Sequence, residues 1–234
     1  MSNCNIRDFG AVGDGVTRNT ACIQAAIEAC CRDGGGTVIV PAGRYLSGSI
    51  RLRTNVNLYL DAGAVLIASV DPADIRVDEE YLDSGTGYFV GAVDAENVSV
   101  TGHGEIFGQG DLLMEKDDGV SEYPLLPGKF RSQMCYFRGC RRVRLDGITL
   151  RKSSQWTVHL IGCRHVAIRS VTILNNLRGA NNDGIDPDAC RDVRISGCHV
   201  EGGDDAIVIK TTQNAARMYG DCEDILISGC TLVS

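Results

Sequence analysis

The sequence predicts an all-β chain wound as a right-handed parallel β-helix with a short capping helix at its N-terminus. Three observations carry that reading. Six segments are alike: Thr54-Asn-Val-Asn-Leu-Tyr-Leu, Glu96-Asn-Val-Ser-Val, Cys140-Arg-Arg-Val-Arg-Leu, Cys163-Arg-His-Val-Ala-Ile, Cys190-Arg-Asp-Val-Arg-Ile and Cys222-Glu-Asp-Ile-Leu-Ile. The last four start 23, 27 and 32 residues apart, a period in the range of solenoid repeats. Each repeat alternates apolar and polar residues with a period of two and breaks at Gly, Asn or Asp, as short strands do. The 28 glycines of the 234 residues have no collagen-like period, so they mark turns. None of the repeats carries a helical pattern, which sets aside leucine-rich and all-helical solenoids.

One repeat per coil stacks equivalent positions about 4.8 Å apart. Cys140, Cys163, Cys190 and Cys222 then form one interior column, and Cys198 and Cys230 another. A small apolar thiol suits a narrow interior. Eleven cysteines at scattered spacing therefore read as free packing residues rather than a disulfide framework or a zinc site.

The chain starts differently. Asn19-Thr-Ala-Cys-Ile-Gln-Ala-Ala-Ile-Glu-Ala-Cys-Cys places Ile23, Ile27 and Cys30 at helical spacing. Asn19 or Thr20 is expected to cap it, and Gly34–Gly36 to end it. This helix, beside a first strand at Thr37–Val40, is expected to cover the open end of the solenoid as a cap over about residues 1–36. Gly108 to Arg131 reads as a long loop leaving the wall. The whole chain, 1–234, reads as one β-helix domain that stops on an uncovered coil, as though truncated. Such an edge invites self-association.

Composition bounds the partners. The apolar fraction of 44% is enough for a core, and Lys plus Arg at 23 against Asp plus Glu at 30 give a net charge of −7. An acidic balance argues against nucleic acid as a partner, which needs a basic face. No apolar run approaches the ~20 residues of a membrane span. Residues 1–5 lack the basic and apolar regions of a signal peptide, so the sequence places the chain in the cytoplasm.

The third strand of each coil carries the candidate chemistry. If Val158, Ile185 and Ile207 point inward, Trp156, Asp183 and Asp205 stack at the strand entrance. His159, Asp186 and Lys210 then face outward, and the set lines one exterior groove. Clustered carboxylates perturb one another and supply both a proton donor and a general base, the pairing glycosidic cleavage needs. A flat indole beside them suits a sugar face. Two other readings of the same residues stay open. Asp in Asn-Asp-Gly and Gly-Asp-Asp serves turns, and Asp183, Asp186, Asp188, Asp204 and Asp205 are hard oxygen ligands of the kind calcium takes. Of the histidines, His103 reads as a turn residue, His165 as a variable polar position and His199 as a surface strand residue.

The residues also carry a resemblance. Asp8-Phe-Gly-Ala-Val-Gly-Asp-Gly15 and Pro41-Ala-Gly-Arg-Tyr45 are similar to the entry of pectin-active β-helix proteins, and Gly102–Gly110 to a glycine-rich coil. Asn181-Asn-Asp-Gly-Ile-Asp186 and Gly203-Asp-Asp-Ala-Ile-Val-Ile-Lys210 resemble the two carboxylate motifs of the polygalacturonase family, glycoside hydrolase family 28. Asn182 departs from the Thr usual there. The resemblance spans essentially the whole chain and implies an inverting hydrolase of pectin-like polysaccharides or oligosaccharides. It implies Asp204 as proton donor, Asp183 and Asp205 as the pair that activates water, and no cofactor or metal. Trp156, His159, Asp186 and Lys210 are the candidate substrate contacts, and Arg151, Lys152, Arg178 and Lys210 the candidate partners of a uronate carboxylate. Inversion implies acid and base ~6.5–9.5 Å apart. The family's later His-Gly and Arg-x-Lys motifs are not found before Ser234, which leaves the activity of these residues alone open. The rivals are a calcium-dependent pectate lyase on the same fold and a non-catalytic carbohydrate-binding β-helix.

Overall fold

The computed structural model describes residues 2–78, 80–81, 87–114 and 130–234. Three parallel walls wind around one apolar interior, a right-handed parallel β-helix. The first wall runs through Ser2–Asn5, Gly36–Val40, Val56–Leu60, Glu96–Gly102, Arg141–Asp146, Arg164–Arg169, Arg191–Ser196 and Glu223–Ser228. The second has eight shorter strands, from Asp14–Arg18 to Thr231–Val233. The third stacks Ile50–Arg51, Gly87–Val93, Ser132–Arg138, Val158–Ile161 and Ile185–Asp188.

The register is the one the repeats predict. Leu145 pairs with Ile168, Ile168 with Ile195 and Ile195 with Ile227, so one aliphatic ladder runs down the interior. Cys140, Cys163 and Cys190 are fully buried in successive coils. The Cys163 amide donates to Cys190 Sγ and the Cys190 amide to Cys222 Sγ, each at 3.3 Å. All eleven cysteines are free. The position two residues after each column residue is a left-handed turn: Asn97, Arg142, His165, Asp192 and Asp224 have φ between 51° and 58°. That geometry explains why the position tolerates varied polar residues and why Asn and Asp recur there.

The N-terminal segment departs from the expectation in two respects. Thr37–Val40 is not the first strand: Ser2–Asn5 precedes it and pairs Cys4 with Val38. Four polar-rich residues carry no alternation of their own, and only the pairing defines them. The helix, α1 (Thr20–Arg32), buries Ile23, Ala26, Ile27 and Cys30 as expected. Neither proposed residue caps it, because both side chains serve neighbouring backbone. Asn19 bonds Val12 N at 2.7 Å and Thr17 O at 2.6 Å, and Thr20 Oγ1 accepts from Gly48 N at 2.7 Å. Within α1, Gln24 donates to Arg51 O and accepts from Arg51 N, both at 2.9 Å. This side-chain amide stands in for a missing strand and blunts the edge of the third wall.

Of the loop expected at Gly108–Arg131, residues 115–129 lie outside the described residues, and Gly110–Leu112 forms a 3-10 turn. A second helix, α2 (Gln213–Tyr219), fills the longer interval between Cys190 and Cys222. It lays Tyr219 so close on Gly162 that a Cβ there would sit inside the ring. Beneath it, Arg138, with 3% of its side chain exposed, bonds Asp78 at 2.6 Å and Glu80 at 2.7 Å. Tyr219 Oη lies 3.1 Å from the same guanidinium. Burial works against the charge on Arg138, but the bonds to Asp78, Tyr219 and Glu80 more than offset it, and its pKa is raised.

Candidate active site

The strand entrance of the third wall is built by backbone rungs. Cys135 N donates to Thr157 O at 2.8 Å, Thr157 N to Asp183 O at 2.9 Å, and Gly184 N to Asp205 O at 2.9 Å. Val158 faces Ile185, and Ile185 bridges to Ile207, so Asp183 and Asp205 occupy neighbouring coils in one column. The coil carrying Asp204 and Asp205 can come close because Gly203 has no Cβ. A Cβ there would strike the Asn176 and Gly179 carbonyl oxygens. Arg131 ties down the facing turn through Ala180 O at 2.8 Å and Asn181 Oδ1 at 3.0 Å.

Three carboxylates converge as a result. One oxygen from each of Asp183, Asp204 and Asp205 lies within 4.8 Å of the other two. Exposure grades across the cluster: Asp183 is buried, Asp204 half-buried and Asp205 exposed. Asp204 Oδ1 accepts from the Asp205 amide at 3.0 Å. Asp183 Oδ2 accepts from Lys210 Nζ at 2.8 Å, whereas its Oδ1 is buried without a partner.

Asp186 is fully buried, with Lys210 Nζ 3.2 Å from Oδ1 and no hydrogen bond at either oxygen. Burial, together with Asp183 beside it, raises its pKa well above the usual carboxylate range, and Lys210 offsets this only in part. Burial thus favours the neutral form of Asp186. Burial also lowers the pKa of His159, which favours the neutral imidazole. Burial pulls Lys210 down too, but Asp186 and Asp183 more than compensate, and its pKa is raised.

Two of the expected substrate contacts need correction. His159 and Asp186 do point outward from the wall, but 1% and 0% of their surfaces are exposed. Trp156 stands edge-on to His159 at 4.6 Å, Gln133 accepts or donates at its Nδ1 at 2.9 Å, and Lys210 lies across Asp186. Neither residue reaches the groove. Of the four candidate partners for a uronate, three are already paired: Arg151 with Glu105 at 2.8 Å, Lys152 with Asp111 at 3.0 Å, and Lys210 with Asp183. Arg178 is half-buried at the turn before Asp183. Trp156 is partly exposed. His103 lies in an exposed bend, His165 pairs with Asp192 and His199 with Glu201, all away from the acids.

The sequence reading missed Gln133, and it missed Thr212, whose N and Oγ1 donate to Asp188 at 2.9 and 2.6 Å. Neither sits in a motif, and each is placed by a partner one coil away or more. The third wall continues outward from the acids. His159 pairs with Tyr136, Tyr136 with Gly91 and Gly91 with Arg51, and the row ends at a cleft of about 610 Å³ lined by Arg51, Arg76, Asp78, Tyr88 and Arg138. The hard-oxygen set at Asp183, Asp204 and Asp205 has the composition of a cation site, but the Lys210 ammonium already supplies a positive charge at Asp183.

Known proteins resemble this chain in sequence and in fold. The model of glycosyl hydrolases family 28 matches residues 30–230. A protein of Vitis vinifera named "Probable polygalacturonase" is 32% identical over 222 residues, covering 89% of this chain and 44% of that protein. An exopolygalacturonase of Zea mays is 26% identical, covering 92% of this chain and 51% of its own. The chain thus spans about half the length of the curated relatives it matches. Among solved structures, the exopolygalacturonase of Thermotoga maritima superposes with a TM-score of 0.85 at 28% identity, over 99% of this chain and 60% of that one. With the repeat, the converging acids and the family match in agreement, this chain belongs to the glycosyl hydrolases family 28.

Proposed function

We propose that the protein hydrolyses glycosidic bonds in a pectin-like polysaccharide or oligosaccharide. The observation that carries the reading is the meeting of Asp183, Asp204 and Asp205 beside a partly exposed tryptophan. The sugar ring rests on Trp156. Asp204 gives its proton to the glycosidic oxygen as that bond breaks. Asp183 and Asp205 hold the attacking water and take its proton, and the products together contain one added water. The relatives named as polygalacturonases support the substrate class, and the network of Lys210 with Asp183 supports hydrolysis over calcium-dependent elimination.

The test is product analysis with polygalacturonate. New reducing ends are expected, with no unsaturated product absorbing in the ultraviolet and no loss of activity in chelator. NMR of the first product reads the stereochemistry. The family resemblance leads us to expect inversion. Retention would recast Asp183 or Asp205 as a nucleophile. A chelator-sensitive, unsaturated product would overturn the hydrolytic reading. A polypeptide of these 234 residues alone exposes Leu226, Ile227, Leu232 and Val233 on its last coil. We include its self-association through that edge in the proposal, and light scattering that finds only monomer would remove it.

A further inference from the structure

Lys210 makes three contacts that no single role as a substrate ligand explains. Its Nζ is 2.8 Å from Asp183 Oδ2 and 3.2 Å from Asp186 Oδ1, and it sits 3.9 Å from the centroid of the Trp156 ring. An ammonium has three donors and no acceptor; one donates to Asp183, and the Asp186 carboxyl and the indole face lie against the same charge. The backbone holds it in place: Lys210 N donates to Pro187 O at 2.9 Å, and Ala189 N donates to Lys210 O at 3.0 Å. His159 stands edge-on to the same indole, its ring centroid 4.6 Å away. Trp156 is therefore held by a cation and a buried ring.

We propose that Lys210 is a positioning residue that locks the Trp156 ring and the Asp183 carboxylate into one unit, with the buried Asp186 beside the same ammonium. The proposal rests on reading Asp183 as a holder of the attacking water. Lys210 takes up Asp183 Oδ2 and so fixes the orientation of that carboxylate in the column it shares with Asp205. The same ammonium attracts the face of the indole through its quadrupole, so the sugar platform keeps its height above the acids. The groups facing Lys210 are Asp183 and Asp186 from one coil and Trp156 and His159 from the coil before. Asp188 accepts from Thr212 and lies 3.6 Å from His159 Nε2.

Trp156 is the chain's single tryptophan, so its emission reads the clamp without any need for activity. Lys210→Met is expected to shift that emission, lower kcat by about 10²-fold through misplacement of reacting groups, and move the acid limb of the pH profile to higher pH. The last effect follows because the variant lacks the cation that favours ionised carboxyl groups beside it. Lys210→Arg should restore the rate and the emission to near the parent level. Asp186→Asn should lose less activity than Asp183→Asn, because Asp186 is fully buried and does not reach the groove. Parent-like emission and an unchanged pH profile in Lys210→Met would overturn the proposal, as would a loss in Asp186→Asn as deep as that in Asp183→Asn. If circular dichroism shows Lys210→Met unfolded, Lys210→Arg decides: a rate and emission at parent level support the clamp, and a pH profile displaced despite the retained charge refutes it. Absence of hydrolysis in the parent protein would remove the proposed function, whereas the emission arm would still report whether Lys210 holds Trp156.

Discussion

Asp204→Asn is expected to lower the rate of polysaccharide hydrolysis by ~10²–10⁴-fold, the usual worth of general acid assistance, while leaving the fold intact. Asp204 is half-buried, and its one hydrogen bond in the structure is the accepted Asp205 amide, which an asparagine carbonyl accepts equally well. The deficit should shrink for a glycoside whose leaving group needs no proton, such as a nitrophenol. Asp183→Asn and Asp205→Asn should impair water attack and show no such recovery. Steady-state rates on both substrates make the comparison. Full activity in Asp204→Asn would return the Gly-Asp-Asp sequence to a turn role.

The second large effect concerns stability. Arg138→Ala is expected to destabilise the protein by ~3 kcal/mol, the lower end of what breaking a buried ion pair costs. The lower end applies because Asp78, with 10% of its side chain exposed, keeps the Tyr136 hydroxyl donor at 2.9 Å. Glu80 is 75% exposed and returns to water. Arg138 joins three elements that cover the third wall: the Asp78–Tyr81 stretch, the wall itself and Tyr219 at the end of α2. Urea unfolding should show a lower midpoint with an unchanged slope. A parent-like midpoint would mean that the network holds no net stability, as fully solvated pairs often do not.

What could be read before folding and what could not divide along a physical line. The Val-x-Ile alternation repeats with the coil, and each repeat sees the same environment. The interior columns through Cys163 and Ile168 and the stacking of Asp183 over Asp205 were legible for that reason. Alternation also told which way His159 and Asp186 point. It did not tell what lies over them. Trp156 and Lys210 close above both residues, and that closure depends on contacts between coils 27 residues apart for Asp183 and Lys210. The helix α2 escaped notice for a related reason. Its seven residues bury only Ala215 and carry no stripe long enough to declare a helix.

By itself, then, the sequence determined the coil, its register, the inward ladder and the column from which the acids project, because a period of two within a repeat records which face of a strand is apolar. Only the tertiary structure decided which outward side chains meet solvent and which are shut away, that Asp186 lies beside an ammonium in the dry interior of the site, and that Arg151, Lys152 and Lys210 are engaged with acids of their own chain. Burial and ion pairing depend on what crosses over a surface in three dimensions, and a one-dimensional pattern records the surface without its cover.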